Sequence, residues 1–374
     1  MSQAKPMRHV KIPGSEQTLE LRDITELARE NSAYDGHERL WMGKDTVRGL
    51  TAIVAIHDTT LGPALGGTRI WKYSSFDEAL TDVLRLSRGM TLKNSVCGIP
   101  FGGGKAVIIA DSKTEKNAQL LTAYADMLQA LTGQYITAED VGLTLSDADF
   151  LRLRTSNVAG TTIGGSENPS PFTALGVFLG LKAAWKFKTG RGDLKDVRVA
   201  VQGLGAVGLS LCRHLHQASA KLVVADMDQA KCEQAHSEFS AEIGNSANIL
   251  LSDVDILAPC ALGGVFSALN IDVLNAQIIA GAANNQLLTH TGANRLRDRG
   301  ILYAPDYVLN AGGVINVAAE FDLDGYDRTK VLTMIDGIPA TLTRIFERAE
   351  REGAATNDIA EIIARERIEA EKSR

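Results

Sequence analysis

The chain has 374 residues, with 39 Lys and Arg against 45 Asp and Glu, for a formal net charge of −6. At roughly 100–200 residues per domain this length predicts two domains or three, and 45% hydrophobic with 22% charged residues is ordinary globular usage that excludes wholesale disorder. A mildly acidic chain lacks the general field that attracts phosphate backbones, so nucleic acid is not an expected partner.

Residues 1–18, broken by Pro6, Pro13 and Gly14, read as a loose arm, with no apolar stretch that resembles a signal segment. Ile24 to Arg29 reads as a helical turn. LTAIVAIHD (50–58) is β-branched-rich and predicts a strand, ending in the turn-rich TTLGPALGG. Ser75-Phe76-Asp77-Glu78 matches a capping box, and Ala79, Leu80, Val83, Leu84 and Met90 behind it predict a helix over 76–90. GIPFGGGK then reads as a glycine loop before the strand AVIIAD. Apolar spacing predicts a second helix over 117–131, and YITAEDVG (135–142) a short strand running into an acidic pair. GTTIGGSENPSP (160–171) is the expected interdomain hinge.

Beyond it, 172–187 reads as an apolar helix. DVRVAVQGLGAVGLSLCRHLHQ followed by KLVVADMD spells strand, glycine turn, helix, strand. Further strands are expected at 255–259, 277–281 and 301–304, and a charged terminal helix at 358–374. This alternation predicts a doubly wound parallel sheet. Trp71 and Trp185 read as packing residues. His214 and His216, two apart on a helix, point to different faces and make a poor metal pair. Cys97, Cys212, Cys232 and Cys260 form no C-x-x-C pair and read as reduced thiols of a cytoplasmic protein. No metal site is expected, and no run approaches the ~20 apolar residues that span a bilayer.

Gly203-Leu204-Gly205-Ala206-Val207-Gly208 is a complete G-x-G-x-x-G between a strand and a helix, the context a dinucleotide site requires. Gly203 allows the tight turn, Gly205 a close pyrophosphate, and Gly208 close helix–strand packing, while Ala206 and Val207 open the helix whose N–H groups face the phosphates. Asp226 ends the next strand 18 residues beyond Gly208. An acidic group there accepts from ribose hydroxyls and repels a 2′-phosphate, which favours NAD as cofactor over NADP.

GIPFGGGKA fails as a phosphate-binding P-loop: the spacing is long, Ala106 replaces the Ser or Thr, and a strand follows. Three glycines instead let backbone pass close to a ligand and leave Lys105 in a confined site, where desolvation or a nearby cation makes a lysine a usable base. Lys93, 12 residues earlier, is a candidate second cation; two surface lysines are the alternative. In Glu139-Asp140, Asp140 can relay a proton to an amine, against the plainer alternative of a solvated acidic pair or helix cap.

LGPALGGTR (61–69), GMTLK (89–93), GGGK (102–105), YITAEDVG (135–142), NPSPFTALGV (168–177), AVQGLG (200–205), APCALGG (258–264), IIAGAANNQL (278–287) and YAPDYVLNAGGVINVA (303–318) together resemble the glutamate/leucine/phenylalanine/valine dehydrogenase family. The resemblance spans about residues 50–330. It implies NAD-dependent, reversible oxidative deamination of an L-amino acid to a 2-oxo acid and ammonia. It further implies that Lys105 is the general base, Lys93 the carboxylate anchor, Asp140 the proton relay and Gly67 part of the backbone wall at the substrate. Thr173 and Asn284, or Asn285 in its place, are implied nicotinamide contacts, and Leu65, Ala138, Val314 and Val317 the side-chain pocket. Those four are apolar and fairly small, and no Lys or Arg stands among them, which favours leucine, valine or isoleucine over glutamate.

The sequence departs from the family pattern at Leu92, where Tyr is usual, at Leu143, where Thr is usual, and in a hinge about two residues short. An aromatic substrate is therefore the nearer alternative, and a catalytically silent NAD-binding protein the other. The expected architecture is α/β in two domains. Residues 1–160 form a substrate and catalytic domain on which a helix at 353–374 packs back. Residues 161–352 form a doubly wound Rossmann domain for NAD, with the active site in the cleft between the two. A homo-oligomer, an octamer by resemblance, is the expected assembly.

Overall fold

The structure, a computed structural model, describes residues 8–11, 18–162, 165–166, 168–261, 263–289 and 291–374. The chain divides into two compact units. One comprises Met1–Asn168, Val317–Tyr326 and Arg367–Arg374, the other Pro169–Asn316 and Asp327–Glu366.

The first unit holds β1 (Arg8–Lys11), β2 (Thr18–Asp23), β3 (Arg39–Asp45), β4 (Leu50–Asp58), β5 (Ala64–Leu65), β6 (Thr68–Trp71), β7 (Gly102–Ile109) and β8 (Tyr135–Ile136). They lie in the order β1-β2-β3-β4-β7-β5-β8, with β6 also paired to β7. The pairs from β1 through β4 to β7 are antiparallel, whereas β5 and β6 run parallel to β7. β4 reads as an unbroken apolar run because both its faces are covered. Ala52, Val54 and Ile56 pack with Leu120, Tyr124, Met127 and Leu128 of the helix Ala118–Ala130. Ile53 and Ala55 pack with Leu80, Val83 and Leu84 of the helix Phe76–Val96.

The second unit carries β9 (Arg198–Gln202), β10 (Lys221–Ala225), β11 (Glu242–Ile243), β12 (Ile256–Pro259), β13 (Ile278–Ile279) and β14 (Leu302–Tyr303). All pairs are parallel, in the order β11-β10-β9-β12-β13-β14. Counted from β9 this is strand order 3-2-1-4-5-6, the doubly wound arrangement that binds dinucleotides where the order reverses. That reversal lies beside β9, whose end opens into the glycine turn.

Several expectations need correction. The arm contains a strand: β1 pairs antiparallel with β2, Val10 opposite Leu19; residues 1–7 and 12–17 of the expected arm lie outside the described residues. The helix expected to end near 90 continues to Val96, because Leu92, Ser95 and Val96 are still buried. Half of the capping box forms: the Glu78 N–H donates to Ser75 Oγ at 3.1 Å, but the Glu78 carboxylate turns to Ser74 instead. The strand expected over 135–142 is only Tyr135–Ile136, since beyond it Asp140 and Leu143 close a tight turn on each other. Trp71 is half exposed, unlike Trp185, which is buried. His214 stacks on Phe178, and His216 lies against Phe239.

Within the expected hinge, residues 163, 164 and 167 lie outside the described residues, and Ser170 already begins the helix Ser170–Thr189. The first unit runs to Asn168, past the expected boundary at 160. The Gly160 and Ser166 N–H groups donate to Glu320 Oε1 at 2.8 and 2.7 Å, tying this stretch to Val317–Tyr326. The terminal helix, Thr356–Lys372, is shared: residues up to Glu366 group with the second unit and those from Arg367 with the first. Among the described residues, no helix is long and apolar enough to cross a membrane.

Candidate active site

Lys105 sits in the middle of β7, opposite Ala55 of β4 and 7% exposed. Side chains alternate along a strand, so Gly103, Lys105 and Val107 share the face covered by the helix Phe76–Val96. The glycines before Lys105 belong to β7 itself. A Cβ on Gly103 would strike Thr91 of that helix, and one on Gly104 would meet the Tyr135 ring at 2.8 Å. Their smallness therefore seats β7 against the protein's own neighbours and not, as the sequence implied, against a ligand. Lys93 is half-buried in the last turn of the same helix, where a cation also suits the helix dipole.

The Lys105 ammonium forms an ion pair with the Asp140 carboxylate. Asp140 is placed by a ladder between residues 64–70 and 134–141. The N–H groups of Gly66, Thr68 and Ile70 donate to the carbonyls of Ile136, Ala138 and Val141 at 3.1, 3.0 and 2.8 Å. Gly67 permits this approach, since a Cβ there would lie 2.5 Å from the Glu139 carbonyl and 3.1 Å from Asp140 Cβ. Burial would push the Asp140 carboxyl up, but Lys105, Arg69 and the Val141 N–H outweigh it and hold it at about 2. Its neighbour Glu139 is pushed the other way, above the usual carboxylate range, by burial and by the Asp140 charge.

Sequence reasoning missed the buried hydroxyls beneath this ladder. Thr68 Oγ1 meets Tyr124 and Thr137, and the Tyr135 hydroxyl donates to the Gly66 carbonyl at 2.5 Å. Nothing in the local pattern announces them, because Thr68 and Tyr124 are 56 residues apart. It also missed Arg69, whose guanidinium donates to Asp82 at 2.8 Å, and Arg367, whose Nη1 reaches the Ser95 carbonyl at 2.7 Å at the end of the Lys93 helix. Of the candidate apolar contacts, Leu65 and Val317 are buried, and Ala138 and Val314 half-buried. Leu92 is buried, and Leu143, 1% exposed, belongs to the core cluster around Tyr124.

In the second unit, Gly203 follows β9 with φ 94°, a conformation only glycine adopts readily. Gly208 stands against the Gly203 carbonyl, where a Cβ would clash. Gly205 differs: it caps the helix Ala206–Gln217, and among the described residues nothing lies within 4 Å of where its Cβ would be. Exposed Ala206 and half-buried Val207 follow. The turn thus leaves open space at a helix N-terminus, which fits a pyrophosphate.

Asp226 stands at the end of β10, its Oδ2 accepting from the Leu204 N–H at 2.6 Å and its Oδ1 from the Asp228 N–H at 2.9 Å. Burial pushes its carboxyl up, but these N–H groups and Lys231 bring it below the usual range. Each oxygen keeps a lone pair for a ribose hydroxyl. These residues fit a dinucleotide such as NAD.

Thr173 Oγ1 donates to the Pro169 carbonyl at 3.1 Å and lies against Gly313. Asn284 Oδ1 accepts from Asn310 Nδ2 at 2.6 Å, whereas Asn285 adopts φ 52° and gives its carbonyl to the Gly264 N–H. Asn310 was missed, although it stands in YVLNAGG, one of the motifs that carry the resemblance.

Known proteins match nearly the whole chain. A family model described as "Glu/Leu/Phe/Val dehydrogenase, dimerisation domain" matches residues 33–157. One described as "Glutamate/Leucine/Phenylalanine/Valine dehydrogenase" matches 164–232 and 224–374. Leucine dehydrogenase of Bacillus subtilis is 46% identical over 346 residues, 92% of this chain and 94% of the relative. L-tryptophan dehydrogenase of Nostoc punctiforme is 47% identical over 338 residues, 90% of this chain and 95% of the relative. The crystal structure of that Nostoc enzyme matches with a TM-score of 0.80 at 45% identity, covering 93% of this chain and 99% of its own. Matched in both units, in sequence and in fold, the chain belongs to the glutamate/leucine/phenylalanine/valine dehydrogenase family of amino-acid dehydrogenases.

Proposed function

We propose that the protein catalyses NAD-dependent, reversible oxidative deamination of a branched-chain L-amino acid, leucine with valine and isoleucine, to the 2-oxo acid and ammonia. The observation that carries this reading is the buried Lys105–Asp140 ion pair, a proton donor and acceptor held together in a family of dehydrogenases. Bound NAD would accept the hydride from the substrate Cα, its pyrophosphate held at Gly203, Gly205, Ala206, Val207 and Gly208, its ribose at Asp226, and its nicotinamide by Thr173 and Asn284.

The chain's residues do the rest. Lys93 binds the substrate carboxylate. Lys105, once it has given up its own proton to solvent, takes a proton as the neutral amine from the water that adds to the iminium carbon. Asp140 exchanges the proton that leaves with ammonia, so each turnover consumes one water and releases one ammonium and one oxo acid. Gly67 bounds the substrate on its backbone side. Leu65, Ala138, Val314 and Val317 receive an aliphatic side chain by burial worth about 0.8 kcal/mol per CH₂. The reading extends to a cytoplasmic homo-oligomer, eight subunits by family resemblance; the match to a dimerisation-domain model over 33–157 supports self-association, and light scattering reads the number.

The nearly equal identity to a leucine and to a tryptophan dehydrogenase makes aromatic amino acids the second reading. NADH formation at alkaline pH across leucine, valine, isoleucine, phenylalanine, tryptophan and glutamate separates the two. Branched-chain turnover is expected. Aromatic-only turnover would keep the chemistry and replace the substrate, and NAD binding with no turnover would leave a silent binding protein.

A further inference from the structure

Arg69 lies on β6 between Thr68 and Ile70, whose N–H groups donate to the Ala138 and Val141 carbonyls. Those two bonds bracket Asp140 and set Arg69 abreast of it. Thr68 and Ile70 turn toward Tyr124 on the helix Ala118–Ala130. Alternation therefore turns Arg69 to the other face, where its Nη1 meets Asp82 on the helix Phe76–Val96. Lys105 is on that same face, and Asp140 feels both cations. Asp82 Oδ2 is shared, since it also accepts from the Tyr73 hydroxyl at 2.6 Å. Arg69 Nε is buried and, among the described residues, has no hydrogen-bond partner, so Asp82 engages only part of the guanidinium.

We propose that Arg69 is a positioning residue of the proton-handling pair, its charge setting how tightly Lys105 and Asp140 together hold their proton. The catalytic meaning rests on the proposed function; the electrostatic coupling does not. An ammonium beside a carboxylate is a balanced pair, and coupled groups titrate as a unit. A further cation at Asp140 leaves the pair with positive charge beside it, so the proton departs at lower pH. The other titratable and charged groups on the elements packed here are Glu139 beside Asp140, Tyr135 on β8, Tyr73 beyond β6, Asp77, Glu78, Asp82, Arg85, Arg88 and Lys93 on the covering helix, and His57 and Asp58 on β4. Arg69 donates to Asp82 and feels the charge of Asp140, which makes it the group that links the pair to the helix.

The test is competitive acetylation of Lys105 in the intact protein across pH, read by mass spectrometry, with the kcat/KM profile beside it. Arg69→Met is expected to raise the labelling midpoint by about one pH unit, the effect of one charge across a partly buried site at an effective dielectric near 20. Arg69→Lys restores it. Asp82→Asn removes the partial counter-charge and lowers it. An unmoved midpoint in Arg69→Met, or Asp82→Asn moving in the same direction as Arg69→Met, overturns the proposal. Should Arg69→Met fail to fold, Asp82→Asn decides alone: a fall supports the coupling, and a rise or no change overturns it. Labelling needs no turnover. A chain that labels as expected yet deaminates nothing refutes the functional reading while upholding Arg69, and an active chain with unmoved midpoints does the reverse.

Discussion

Lys105 and Asp226 make separable demands. Lys105→Ala is expected to lower kcat for leucine by about 10²–10⁴-fold, the usual scale of general acid–base catalysis, while the dissociation constant for NAD stays within twofold. Steady-state rates and fluorescence titration of NAD read the two quantities, and near-normal turnover would remove Lys105 from its role. Asp226→Asn keeps an acceptor for the Leu204 N–H but loses the charge that repels a 2′-phosphate. It should therefore narrow the preference for NAD over NADP by about tenfold or more, the worth of about 1.4 kcal/mol. An unchanged ratio of kcat/KM for the two cofactors would take Asp226 out of the ribose site. Both residues were legible because short motifs carry them. Arg69 was not, although it closes LGPALGGTR, because its meaning lies in partners on another helix and another loop.

Elements with their own periodicity were equally legible. β4 was read to its exact ends, and the helix Ala118–Ala130 to within a residue of each, because burial on defined faces writes itself into the apolar pattern. β5 and β11 have two residues each and exist only as rungs on a neighbour, which no local signal reports, whereas the equally short β8, β13 and β14 fall inside the runs expected at 135–142, 277–281 and 301–304. The glycine run was read as ligand space for a related reason: sequence shows smallness but not what it faces. Gly103→Ala is the element-level test. Its Cβ meets both backbone and side chain of Thr91, so the helix Phe76–Val96 must shift and carry Lys93 with it. Overpacking of this kind costs about 1–3 kcal/mol. Urea unfolding should show that loss and the KM for leucine should rise, while NAD affinity stays constant; an unchanged KM would detach Lys93 from the substrate.

At the scale of the whole molecule, stability should fall in mild acid. His37 is buried, donates from Nε2 to the Leu84 carbonyl and accepts the Asp35 N–H at Nδ1, a neutral ring. Burial and the adjacent His57 push it down to about 4, and burial also lowers His57. Unfolded histidine binds its proton below about pH 6.5, so between pH 6.5 and 4 the unfolded chain holds more protons and folding weakens as pH drops, by about 3 kcal/mol from His37. Below pH 4 the loss continues through Asp140, whose folded carboxyl titrates at about 2. Urea midpoints at pH 7 and pH 5 measure the first part, and His37→Gln should flatten it; a slope that survives His37→Gln would assign it elsewhere.

Arg367 bonds to Ser95 across 272 positions of sequence, and this separation has a consequence in time. The carbonyl ends of the helix that carries Lys93 wait for a partner that has not yet been made. At about 5–20 residues per second of synthesis, that wait is roughly a quarter of a minute to a minute. Glu320, which holds Gly160 and Ser166, also arrives late. The unit translated first is thus the one completed last, and a nascent chain has made its glycine turn at 203–208 well before the helix that carries Lys93 gains its Arg367 partner.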